Sequence, residues 1–159
     1  MPPLSQRYTC DRSGKAQESV AFMKNRSHLV LCVDDEAVGL GIRKILLERA
    51  GYRVLIAADG ASGLKLFAAH PVDAVVLDYA MPGMHGGQVA RKMRQIKPEV
   101  PILLLSAYVD LPAGVTSLAD LYMTKGEGAP ALLDNLGNLL SAHPHLTRHP
   151  GQTKIDDRN

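Results

Sequence analysis

Short, unbroken apolar runs constrain this chain more than any other feature. "LVLCV" at 29–33, "VVL" within "DAVVLDY" at 73–79 and "ILLL" within "PILLLSA" at 101–107 show no polar alternation. A strand with one face in water alternates its side chains, so runs of this kind belong to strands covered on both faces. Such strands sit in parallel sheets, and each parallel connection needs a crossover, usually a helix. After the first run, Val38, Ile42, Ile45, Leu46 and Arg49 follow at helical spacing until Gly51 stops the helix. "YRVLIAA" then reads as a strand, "GASGLKLFAAH" as a helix, "DAVVLDY" as a strand and "GGQVARKMRQIK" as a helix. "PILLLSA" is a fourth strand, "DLYMT" a short fifth, and "APALLDNLGNLLSAH" a closing helix with Leu132, Leu133, Leu136, Leu139 and Leu140 on one face. One unit is out of step. Between Ser106 and Lys125 the helix has to come from "YVDLPAGVTSLA", where Pro112 and Gly114 predict a short or irregular fourth helix. The pattern is α/β: a doubly wound, five-stranded parallel sheet with helices on both faces.

The regular text covers residues 28–142, the expected domain. Residues 1–27 read as a flexible polar arm and 143–159 as a flexible tail. The arm carries Arg7, Asp11, Arg12, Lys15 and Glu18 and lacks the apolar segment of a signal peptide. No apolar run approaches a membrane span, so the expectation is a cytoplasmic protein with no membrane partner. A net charge of +2 is too small to indicate nucleic-acid binding, and no direct DNA contact is expected despite the locally basic "HPHLTRHPGQTK". Cys10 and Cys32, one in the arm and one inside an apolar run, suggest neither a disulfide framework nor a metal site.

In an open parallel sheet, ligands bind beyond the carboxyl ends of the strands, at the switch between connections to either side. The polar residues gather there. Asp34 and Asp35 close the first strand, Asp78 the third and Ser106 the fourth, and Lys125 follows the fifth. Three carboxylates in one crevice repel one another unless a cation sits among them. Magnesium suits such a site, because it takes oxygen ligands in octahedral array, keeps several waters and often binds one or two carboxylates together with phosphate. With a hydroxyl from Ser106 and a cation from Lys125, the residue kinds describe a pocket for a phosphoryl group.

At this point the sequence resembles the response-regulator receiver domain of two-component signalling, of stand-alone type. The resemblance rests on "VDDE" at 33–36, "VLDYAMPGMHG" at 76–86, "LLSA" at 104–107 and "YMTK" at 122–125, in the family's order at separate strand ends. It implies the flavodoxin-like strand order 2-1-3-4-5. It also implies that Asp78 is the phosphoacceptor, with Mg2+ held by Asp35 directly, by Asp34 largely through water, and by Asp78 and the backbone carbonyl of Ala80. Ser106 would bind a phosphoryl oxygen, Lys125 would pair with the phosphoryl group, and Tyr122 would be the switch aromatic coupled to Ser106. The implied partners are a histidine kinase or histidine phosphotransfer protein and a downstream protein target, with the signal passed by protein–protein interaction or phosphorelay. The domain would be a phosphoacceptor and no enzyme beyond its own phosphorylation and autodephosphorylation. Two features depart from the pattern: Gly126 stands where the family usually has proline, and the segment between Ser106 and Lys125 is shortened.

Two other functions fit parts of the pattern. A receiver-like binding module independent of phosphate is one. A magnesium-dependent phosphatase of the haloacid dehalogenase type is the other, but it needs a second acid two residues after its nucleophile, where this chain has Ala80. Asp34 taken alone could equally cap the following helix. His85 reads as a solvated loop residue without chemistry, and Gly39 and Gly41 either ease packing of the first helix or let a partner helix approach.

Overall fold

The protein is described here by a computed structural model covering residues 27–144. The arm at 1–26, with Cys10, and the tail from 145 onward lie outside the described residues. Five strands form one parallel sheet: β1 (Leu29–Val33), β2 (Arg53–Ala57), β3 (Ala74–Asp78), β4 (Ile102–Ser106) and β5 (Leu121–Thr124), in the order β2-β1-β3-β4-β5. Helices α1 (Ala37–Arg49), α2 (Gly60–Ala69), α3 (Gly86–Ile96), α4 (Ala113–Thr116) and α5 (Gly128–Ala142) connect or close them, and a 3-10 turn spans Lys125–Glu127. The expected architecture and strand order are present, and the fourth helix is a single turn.

The three uninterrupted runs become β1, β3 and β4, buried at every position because a layer of helices covers each face. On one face Leu31, Val33, Val75, Leu77 and Leu104 pack with Phe67 of α2 and with Val89 and Met93 of α3. On the other, Val30, Cys32, Val76 and Leu103 meet Leu40 and Leu47 of α1 and Leu132, Leu136, Leu139 and Leu140 of α5. Cys32 is a small core residue, and burial pushes its thiol up to about 12.

Helix α1 lies where the spacing places it, but of the expected apolar stripe only Leu46 packs on the core. Leu40 and Leu47 are its buried residues, whereas Val38, Ile42 and Ile45 are 69%, 63% and 54% exposed. Residues 38, 42 and 45 form one stripe and 40 and 47 another, nearly opposite it on a helix of 3.6 residues per turn. This surface helix is therefore apolar on both sides.

A buttress at the amino-terminal end of the sheet had no sequence signature. Arg94 of α3 donates to the carbonyls of Leu118, Pro98 and Val100 at 2.9–3.0 Å and pairs with Asp120, whose carboxylate also accepts from the Ile102 N–H at 2.7 Å. One guanidinium fork thereby ties α3 to the start of β4 and to the approach to β5.

Candidate functional site

The switch point falls between β1 and β3. The chain leaves β1 through α1 on one face to reach β2, and leaves β3 through α3 on the other to reach β4, so a crevice opens above their carboxyl ends. Asp34 follows β1 and Asp78 closes β3. The carboxylates of Asp34, Asp35 and Asp78 bring ligand oxygens within 4.8 Å of one another, Asp34 and Asp78 buried and Asp35 exposed. Ala80 is exposed in the loop two residues beyond Asp78.

Lys125 reaches into this cluster from the end of β5. Its Nζ lies 3.0 Å from Oδ1 of Asp78 and 3.2 Å from Oδ2 of Asp34. Every peptide bond in the described residues is trans, so Lys125 takes this position with an ordinary Lys125–Gly126 link. Burial raises the Asp78 carboxyl above its usual range and the charge of Asp34 adds to the rise, while the Lys125 ammonium close by works against both. Burial pulls Lys125 the other way, yet Asp78 and Asp34 outweigh it and leave the amine raised and charged.

Asp34 does not cap α1. Glu36 does, accepting from the N–H groups of Val38 and Gly39 at 3.1 and 2.7 Å. Asp34 instead accepts the Glu36 N–H at 2.9 Å on Oδ1, and on Oδ2 the guanidinium of Arg43 at 3.2 Å beside Lys125. Arg43 was not anticipated. Its signal was available, since 40, 43 and 47 share a helix face and a charge between two buried leucines calls for a partner.

Oxygen donors alone, two of them buried, suit a hard cation. The buried Oδ1 of Asp78 also receives no aligned hydrogen bond, although Lys125 stands close. A carboxylate oxygen left in that state suits a metal or an incoming phosphoryl group. The residues present therefore fit Mg2+.

Ser106 and Tyr122 are joined to each other through one backbone unit. Ser106 is fully buried at the end of β4, and its Oγ accepts the Tyr108 N–H at 3.0 Å. The Tyr108 carbonyl in turn accepts the hydroxyl of Tyr122, a half-buried residue paired with Leu104 across β4 and β5.

His85 does structural work beneath the site. Its Nδ1 accepts from Gly87 and Gln88 N–H at 3.1 and 3.4 Å, and the Gln88 side chain accepts the His85 N–H, a capping box that starts α3. Gly86 beside it permits a close approach. A Cβ there would lie 2.4 Å from the Asp78 carbonyl oxygen and 2.7 Å from the Tyr79 Cα, both backbone atoms. Gly86→Ala should accordingly cost about 2 kcal/mol in urea unfolding by moving the Asp78 backbone. Wild-type stability would show that the loop yields freely.

Comparison with known proteins agrees with this geometry. The response regulator receiver domain matches residues 30–136. The transcriptional regulatory protein AfsQ1 of Streptomyces coelicolor is 39% identical over 100 residues, 61% of this chain and 44% of that protein. The probable transcriptional regulatory protein TcrX of Mycobacterium tuberculosis is 35% identical over 130 residues, 80% and 53% respectively. The chain thus spans about half the length of such relatives. Among solved structures, the response regulator TrrA of Thermotoga maritima, in complex with Mg(2+)-BeF, superposes with a TM-score of 0.65 at 34% identity, covering 70% of this chain and 98% of that one. With the fold, the acidic crevice and the match over residues 30–136 in agreement, this chain belongs to the response regulator receiver domain family, signalling domains rather than enzymes in the ordinary sense.

Proposed function

We propose that the protein is a response regulator that accepts a phosphoryl group on Asp78 from a histidine kinase or histidine phosphotransfer protein. The observation that carries this reading is the state of Asp78 Oδ1: buried, without an aligned hydrogen bond, 3.0 Å from Lys125 and inside the acidic triad. Mg2+ held by Asp34, Asp35, Asp78 and the Ala80 carbonyl would neutralise charge on the phosphoryl oxygens. A carboxylate oxygen of Asp78 attacks phosphorus, the P–N bond to the donor histidine breaks, and its electron pair returns to the ring nitrogen. Lys125 pairs with the transferred group. Ser106 donates its hydroxyl to a phosphoryl oxygen. The supposed setting is the cytoplasm, with residues 28–142 as the working unit and the output delivered to another protein or onward in a relay.

Signal output is expected through the Ser106–Tyr108–Tyr122 connection. As Ser106 turns to the phosphoryl group, the Tyr108 N–H loses its acceptor, and the loop that holds the Tyr122 hydroxyl is loosened. A ligand shifts such an equilibrium only through its differential affinity for the two states. Beryllofluoride with Mg2+, a phosphoryl mimic, should therefore change amide exchange most strongly in residues 106–122. Tyr122→Ala should reduce that response and leave phosphorylation of Asp78 largely intact. Unchanged exchange in this segment would move the output to another face.

A phosphate-independent binding module is the second reading. It is favoured by the pairing of Asp34 and Asp78 with Lys125, which lets the cluster stand as a closed ion pair without any ligand. Binding of beryllofluoride separates the two, since a module of that kind takes none. Phosphoryl transfer from a panel of phosphorylated histidine kinases tests the donor class directly.

A further inference from the structure

Arg43 occupies a place where its own helix calls for an apolar side chain. It lies one turn from Leu40 and Leu47 on the inward face of α1, and its side chain is only 11% exposed. Its guanidinium meets the fully buried Asp34 at Oδ2, the oxygen that Lys125 also holds, while Oδ1 is taken by the Glu36 N–H. Every oxygen of Asp34 is therefore occupied by protein donors before any metal arrives.

We propose that Arg43 is a resident cation of the phosphoryl site, holding Asp34 in place without metal and setting how weakly the acidic triad takes a divalent ion. This rests on the reading of the triad as a Mg2+ site. Three carboxylates facing Arg43 and Lys125 leave a single net negative charge, a modest attraction for a divalent ion. A dianionic phosphoryl group on Asp78, added together with a divalent ion, brings the same set of charges close to neutrality. Without Arg43 the resting site is more negative, and the phosphorylated, metal-loaded site keeps an unbalanced negative charge. Arg43 thus lowers metal affinity in the resting protein and favours the phosphorylated state. A site of this design stays folded and closed when metal is scarce.

The test compares the wild-type chain with Arg43→Met and Arg43→Lys, using MgCl2 titration by calorimetry and thermal unfolding with and without Mg2+. Arg43→Met should bind Mg2+ about tenfold more tightly, because the resting site then carries one more uncompensated negative charge. Its Tm should fall without metal and return to the wild-type value at saturating Mg2+, while Arg43→Lys stays near wild type in both measurements. Equal or weaker Mg2+ binding by Arg43→Met, or the same loss of Tm with and without metal, overturns the proposal and leaves Arg43 a packing residue. If neither the wild type nor Arg43→Met binds Mg2+, the metal reading itself falls, and the role of Arg43 with it.

Discussion

Intact mass after treatment with acetyl phosphate and Mg2+ is expected to rise by one phosphoryl group in the wild-type chain and not at all in Asp78→Asn. The expectation is all or none because Asp78 alone combines the needed features. It is buried at the end of a central strand, faces Lys125 at 3.0 Å and carries an oxygen with no aligned hydrogen bond. Asparagine keeps the shape and removes the nucleophilic charge. Asp34 is a poor substitute, since Arg43, Lys125 and the Glu36 N–H already hold its oxygens. Persistence of the adduct in Asp78→Asn would refute the assignment.

The second large effect concerns the outward stripe of α1. Val38, Ile42 and Ile45 start beside Asp35 and Glu36 at the rim of the crevice and run down the helix with nothing among the described residues covering them. On the proposed reading, a donor that delivers phosphohistidine to Asp78 would stand over this rim, and an apolar strip continuous with it is the surface such a donor would cover. Ile42→Glu should lower transfer from the kinase that labels the wild type fastest by about tenfold or more, as expected for a charge placed at the centre of a docking patch. Labelling by acetyl phosphate needs no docking and should keep its rate. Equal loss with both donors would indicate damage to the site, and no loss with either would place docking elsewhere.

The sheet was legible in the text because β1, β3 and β4 are apolar at every position, a pattern that admits little besides strands covered on both sides. The acids and the lysine were legible because strand ends in such a sheet converge on one crevice. What stayed hidden depends on which face of an element turns inward. In α1 the residues 38, 42 and 45 offered as good a period as 40, 43 and 47, and only packing on β1 decides between them. His85 looked idle because a histidine cap is recognisable only when Gln88 is seen to complete its box. Arg43 was hidden for the same reason as the true face of α1, and Arg94 because its four partners lie in two segments, 98–100 and 118–120, apart in sequence.

On the proposed reading, the Arg94 buttress would limit how far a change at Asp78 travels. The stretch between β4 and β5 is moored at its far end, where Leu118 and Asp120 are held by that guanidinium, and at its near end through Tyr108, whose N–H donates to Ser106 and whose carbonyl accepts from Tyr122. A tether fixed at one end and releasable at the other swings without dragging the sheet. With a single turn of helix inside it, that tether would bend like a strap, and on the proposed reading a partner would meet a change of contour over residues 107–117.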